Sequence, residues 1–260
     1  MADDILVRRD DPAVPVVVLN RPARKNAISF AMWRTLGALY DEFAADAKVR
    51  AVVLTGAGDS FCAGADITEF KTLRHDAQAG AVYDEAVRHG TEAIANFPKP
   101  TVAAISGYCV GGGVALALSC DFRASDRTAK FGVPAARLGI VYSRLECEAL
   151  VAAVGHVQAK RILFGGERMG AEEALRIGLI DRLVDAEPLV AAREIVAPMA
   201  ANAPFSIAGM KLVLNALSTG EADARKPDIA AAVKRALESA DYKEGVAAFG
   251  EKRPPRFQGR

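Results

Sequence analysis

The sequence predicts an α/β fold made of repeated strand–strand–helix units, followed by an all-helical C-terminal region. Short apolar strand-like segments recur near residues 14, 51, 101, 121 and 180, each leading through a turn into a stretch with helical spacing. That alternation favours stacked ββα-like units over a Rossmann sheet. From Pro204 onward, FSIAGMKLVLNALS, DIAAAVKRALESA and KEGVAAFGEK are helical in succession, until Pro254 and Pro255 break the pattern. The expected division is therefore a core over residues 1–203 and a helical region over 204–260.

In chain order, Ile5 to Arg9 and Val14 to Asn20 read as two strands of a hairpin around Asp10-Asp11-Pro12, a turn composition. Arg24-Lys25-Asn26 places two cations in a loop before a helix over Phe30 to Ala45, whose Phe30, Trp33, Leu36, Leu39, Tyr40 and Phe43 fall at helical spacing. AVVLT over 51–55 is a continuously apolar strand. The small residues Cys62-Ala63-Gly64-Ala65-Asp66 then leave a backbone open to a ligand. Thr68 to Phe97 is expected to be a helical stretch of mixed polarity, suited to a lid, with His75 and His89 as surface residues. Asp121 to Ser125 and Lys130 to Gly132 are further strands. Ser143 and Glu146 have the spacing of a capping box, opening a helix that ends near Gly155, with later helix ends at Gly165 and Gly178.

The chain is organised around SGYCVGGGVALALSCD, residues 106–121, where a strand runs through three glycines into an apolar helix. The first turn of a helix has unbonded N–H donors and a partial positive charge, and glycine lets a ligand approach the backbone closely. A negative group is expected over Gly111, Gly112 and Gly113. Val114 and Ala115 follow the glycines in place of the Lys-Ser/Thr of a Walker loop, and the dinucleotide fingerprint fits no better.

Composition narrows the remaining classes. With 260 residues, 51% of them hydrophobic, the chain can bury a full core. Lys and Arg (33) balance Asp and Glu (32), which gives no electrostatic case for nucleic acid or an anionic membrane. Cys62, Cys109, Cys120 and Cys147 are widely spaced with no CxxC, as expected of reduced thiols and of no metal site. The acidic N-terminus MADDILVRRDD lacks a signal-sequence pattern, and no apolar run reaches the roughly 18 residues of a membrane span. The expectation is a soluble cytoplasmic protein.

Taken together, LNRPARKNA, AVVLTG, SFCAGADI, FPKPTVAAISGYCVGGGVALALSCD, the FG-x-P-x-x-x-LG loop, GERMGAEEALRIGLID and FGEKRPPRF resemble the crotonase (enoyl-CoA hydratase/isomerase) family in order and spacing, over nearly the whole chain. The resemblance implies a crotonase-like spiral of ββα units with a C-terminal helical trimerisation region, and trimers that often pair into hexamers. It implies an acyl-CoA thioester as ligand, with no cofactor beyond the CoA moiety. The backbone N–H groups of Ala65 and Gly112 would form an oxyanion hole. Ala63, Gly64, Ala65, Asp66 and Ile67 would lie along the CoA, Arg24 and Lys25 near its phosphates, and Phe249 with Lys252 would close over it, from the same or an adjacent subunit.

The chain also departs from that family. Hydratases carry glutamates at the positions of Ala115 and Ala135, one to activate water and one to protonate the α-carbon. Such groups contribute ~10²–10⁴-fold each, so very slow hydration is expected. The loop after Gly139 reads IVYSRLE, and Tyr142 falls where methylmalonyl-CoA decarboxylases of the family carry a tyrosine; those enzymes also have a histidine at the position of Ala65 and a glutamate at that of Ala115. Three functions stay open: a decarboxylase or lyase with Tyr142 orienting a carboxylate or donating a proton, a non-catalytic acyl-CoA carrier or sensor, and a hydratase or isomerase with relocated groups. Glu69, Glu146 and Glu148 are the carboxylates available to the last. The simpler reading of Tyr142 is a staple packed on Cys147, and of Ser143 and Glu146 the capping box alone.

Overall fold

A computed structural model describes residues 3–260. It opens with the expected hairpin, β1 (Ile5–Arg8) against β2 (Val16–Leu19), antiparallel with Ile5 opposite Leu19. β3 (Val52–Gly56), β4 (Thr101–Ile105), β6 (Phe122–Asp126) and β9 (Arg182–Val184) then add in parallel, giving the sheet order β1-β2-β3-β4-β6-β9. Parallel strands covered on both faces carry continuous apolar runs. Here period-two geometry sorts each run between two cores. Val17, Leu19, Val52, Leu54, Ala103 and Ile105 face one core, while Val16, Val18, Val53, Val102 and Ala104 face the other.

The first core is closed by α1 (Phe30–Ala45), α3 (Ala77–Ala95), α4 (Gly112–Ser119) and α5 (Arg144–Gly165), and the second by α7 (Pro188–Ala200) through Ala191, Ala192 and Val196. α1 buries Trp33, Leu36, Tyr40 and Phe43 as its spacing predicts, and the Ser29 hydroxyl caps it by accepting from Met32 N. The expected helix over 68–97 is interrupted. A single 3-10 turn (Ile67–Glu69) and the short α2 (Phe70–Leu73) precede α3, because the Asp76 carboxylate accepts from Ala79 N and starts a new helix. The helix expected to end near Gly155 breaks there, at φ 73°, and a second helical stretch continues it to Gly165 as the one element α5.

A second layer sets the spiral. β5 (Tyr108–Val110), β7 (Lys130–Gly132) and β8 (Met169–Gly170) form a small sheet, and single bridges continue it from Cys109 to Cys62 and from Ala65 to Ile28. Each turn therefore contributes one strand to the large sheet and one segment to this layer before its helix, which is the strand–strand–helix repeat. α6 (Ala171–Arg176) leads to β9, after which α8 (Pro204–Ser218), α9 (Lys226–Glu238) and α10 (Ala240–Glu251) form the helical end. The final segment folds back, with Arg260 O accepting from Ala240 N. No helix among the described residues is long and apolar enough to cross a membrane.

Candidate active site

Two successive turns of the spiral end their second-layer segments side by side. Cys62 N donates to Tyr108 O and Val110 N to Cys62 O, which locks the 62–65 segment against β5. Gly113 is required there, since a Cβ on it would lie 2.4 Å from Cys62 O. Gly64, at φ +104°, turns the chain so that Ile28 N bonds Gly64 O and Asp66 N bonds Ile28 O, and the intervening Ala65 N–H is left pointing away from the ladder. Gly112 is the first residue of α4, whose leading N–H groups have no intrahelical acceptor. Neither the Ala65 nor the Gly112 amide has an acceptor among the described residues. A Cβ on Gly112 would stand 3.4 Å from Ala65 N, so the two amides flank one small space. The sequence-predicted pair is thus brought together, at the end of a helix dipole that favours negative charge.

The space opens into a cavity of about 660 Å³. Trp33, Phe70, Tyr83 and Val87 line it from the α1 to α3 side, and Pro134, Ala135, Leu138, Ile140 and Tyr142 from the other. A Cβ on Gly111 would lie 3.7 Å from the Tyr142 hydroxyl, which places that group beside the paired amides. Burial, with Glu146 nearby, pushes the Tyr142 phenol far above its ordinary range, so it stays protonated and can donate. Ala135 lines the cavity, whereas Ala115 is buried within α4 and too short to reach it.

Each carboxylate of interest has a structural use. Glu69 Oε2 accepts from Phe30 N at 2.8 Å, at the start of α1. Glu148 pairs with Arg144 at 2.8 Å and lines a different cavity, between α5 and α8. Glu146 forms the capping box with Ser143, accepting from its N at 2.8 Å and its Oγ at 2.7 Å. Of these three, Glu146 alone lines the cavity beside Tyr142.

Around the mouth, Arg21, Arg24 and Thr68 all donate to the buried Asp66. Although burial works against its charge, the Thr68 and Arg21 hydrogen bonds hold the Asp66 carboxyl below its ordinary range. Asp66 therefore fastens the loop. Arg24 keeps a half-exposed side chain, Lys25 lies 3.9 Å over the Tyr108 ring and accepts from Ala63 N through its carbonyl, and Ile67 is exposed. Phe249 is 88% exposed on α10, and neither it nor Lys252, the α10 cap, lines the cavity.

Sequence reasoning missed Asn26. It is fully buried at φ 55°, and its side-chain amide donates to Ala57 O and Ser60 O while its oxygen accepts from Arg21 N. It ties the basic loop to the 57–60 turn that feeds the Ala65 segment. The available signal was an asparagine after two cations, since Asn tolerates left-handed backbone better than other non-glycine residues.

Comparisons with known proteins agree with this fold. The family model for enoyl-CoA hydratase/isomerase matches residues 9–260. A solved structure of an enoyl-CoA hydratase/isomerase family protein from Hyphomonas neptunium is similar over 100% of this chain and 99% of its own, with TM-score 0.93 and 38% identity. An enoyl-CoA hydratase from Bacillus anthracis superposes with TM-score 0.88 at 30% identity, over 99% of this chain and 100% of its own. The short-chain-enoyl-CoA hydratase of Clostridium acetobutylicum is 34% identical over 92% of each chain. From its spiral, its paired free amides and the match over residues 9–260, the chain belongs to the enoyl-CoA hydratase/isomerase family of the crotonase superfamily, whose members act on acyl-CoA.

Proposed function

We propose that the protein binds an acyl-CoA with its thioester oxygen between the amides of Ala65 and Gly112, and that it stabilises an enolate there without the carboxylate pair that hydration uses. The observation that carries this is the two unbonded N–H groups flanking one space at the start of α4. Donors fixed before the reaction need no reorganisation as charge develops on the oxygen. The neutral Tyr142 phenol supplies a third donor beside them, and delivers a proton to the α-carbon once an enolate forms. This suits loss of CO₂ from the acyl group: the bond to the departing carboxylate breaks, its electron pair passes to the thioester enolate, and no base is needed. A glutamate at position 115 or 135 would repel such a carboxylate, and both positions are alanine.

The CoA would run along Ala63 to Ile67, its phosphates near Arg24 and Lys25. Phe249 is exposed in the single chain, which suits closure over the site of an adjacent subunit. The reading includes trimers, or dimers of trimers, built through residues 204–260, in the cytoplasm. Met210, Leu214 and Leu217 expose an apolar stripe on α8 that such assembly would cover. Sedimentation at micromolar concentration should give a trimer or hexamer; a stable monomer would rule that part out.

The central test is a panel of enoyl-, malonyl- and methylmalonyl-CoA esters, followed for binding and turnover, with a structure of the complex. Binding with decarboxylation is the expected result, and binding with no turnover of any ester would leave a carrier. A thioester oxygen beyond hydrogen-bond distance of both amides refutes the reading.

A further inference from the structure

Three side chains on one wall of the cavity have no part in holding the thioester. Trp33 packs against the glycine junction: a Cβ on Gly112 would lie 3.3 Å from its Cζ2, two bonds from the indole nitrogen. Tyr83 follows, its ring 5.5 Å from that of Phe70, and the Arg74 guanidinium sits 5.4 Å from the Tyr83 ring centre. All three line the cavity. Trp33 and Tyr83 are 1% and 2% exposed; the indole N–H faces the phenol oxygen without forming a hydrogen bond of normal geometry, and neither group has another partner. Buried polar groups are nearly always well bonded in folded proteins, and a poorly aligned pair on a cavity wall, with the phenol proton unused, points to groups that a ligand completes.

The chemistry of the wall is one-sided. An indole N–H and a guanidinium only donate, and a protonated phenol donates as well. Burial pushes the Tyr83 phenol up to about 12, so it keeps its proton at neutral pH. The acids around the cavity are already engaged: Asp84 with Arg74 at 3.0 Å, Glu85 and Glu92 with Arg88, and Glu146 in its capping box. Asp84 is 61% exposed, so water screens its hold on Arg74, whose remaining N–H groups stay available.

We infer that this wall receives the carboxylate of a dicarboxylic acyl group, with Arg74 supplying the charge and Tyr83 and Trp33 the hydrogen bonds. A carboxylate is an acceptor with about four lone-pair sites, which complements three donors. A neutral alkyl chain would leave the Tyr83 phenol proton unpaired and the indole N–H with only its misaligned contact to the phenol oxygen. The inference rests on the reading that an acyl-CoA binds with its thioester at Ala65 and Gly112, and it makes Arg74, Tyr83 and Trp33 determinants of acyl specificity.

Calorimetric titration of the full-length protein separates the two. Malonyl-, succinyl- and glutaryl-CoA are each compared with propionyl-, butyryl- and valeryl-CoA of matched length. At least one carboxylated ester is expected to bind roughly tenfold more tightly than its neutral counterpart, the size of a hydrogen bond to a charged group. Tyr83→Phe and Arg74→Gln should each bring that ratio towards one, with Arg74→Lys retaining part of it. Neutral esters binding as well as carboxylated ones would overturn the inference alone, as would a preference that survives both substitutions. Failure of every ester to bind would overturn the acyl-CoA reading as well.

Discussion

Crotonyl-CoA hydration by this protein is expected to run at least ~10³-fold below that of a relative with both glutamates, because on the proposed reading Ala115 and Ala135 stand where groups would deprotonate water and protonate the α-carbon. The intact amide pair does not compensate, since stabilising an enolate does nothing to activate water. The measurement is loss of the conjugated thioester absorbance under conditions where a two-glutamate hydratase is fast. Ala115→Glu with Ala135→Glu should raise the rate, although only in part. Ala115 is 5% exposed, so a carboxylate there enters a site built for a methyl group and costs stability. The unmodified protein hydrating at a typical family rate would sink the prediction. Glu146 would then be the first residue to replace by glutamine, because Glu69 and Glu148 do not line the cavity.

Gly112→Ala keeps the backbone N–H but fills the space in front of it, and is expected to lower turnover of whichever acyl-CoA proves to be the substrate by ~10²–10³-fold, comparable to losing one oxyanion donor. Gly112 is not in the left-handed region, so alanine fits its backbone. The added methyl would contact Trp33 Cζ2 at 3.3 Å and Ala65 N at 3.4 Å, in the space meant for the thioester oxygen. The fold should survive with a small loss of thermal stability. Gly113→Ala makes the contrasting control, because its methyl would meet Cys62 O at 2.4 Å and force the two spiral turns apart. That variant should lose about 1–3 kcal/mol of stability through overpacking. Full turnover by Gly112→Ala would show that the amide pair is not where charge develops.

The local features were legible in the sequence because their causes are local. Helical spacing gave α1 its buried face, and the capping box from Ser143 to Glu146 needs only neighbours in the chain. The glycine run marked a backbone expected to face a negative group, and Ala115 and Ala135 stood out only against the pattern of the resembling family. The break at Asp76 was misread as continuous helix, because one N-cap side chain outweighed a pattern of mixed polarity. What tertiary structure alone decided is which distant groups meet. The approach of Ala65 to Gly112 depends on how successive second-layer segments align, and the pinning of residues 57 and 60 by Asn26 depends on a buried contact across the fold. Trp33 and Tyr83 are ordinary core aromatics by spacing, and only packing set their polar atoms against each other, poorly aligned, on a cavity wall. Burial and hydrogen-bond satisfaction are properties of the assembled neighbourhood, to which residues far apart in sequence contribute without any local mark.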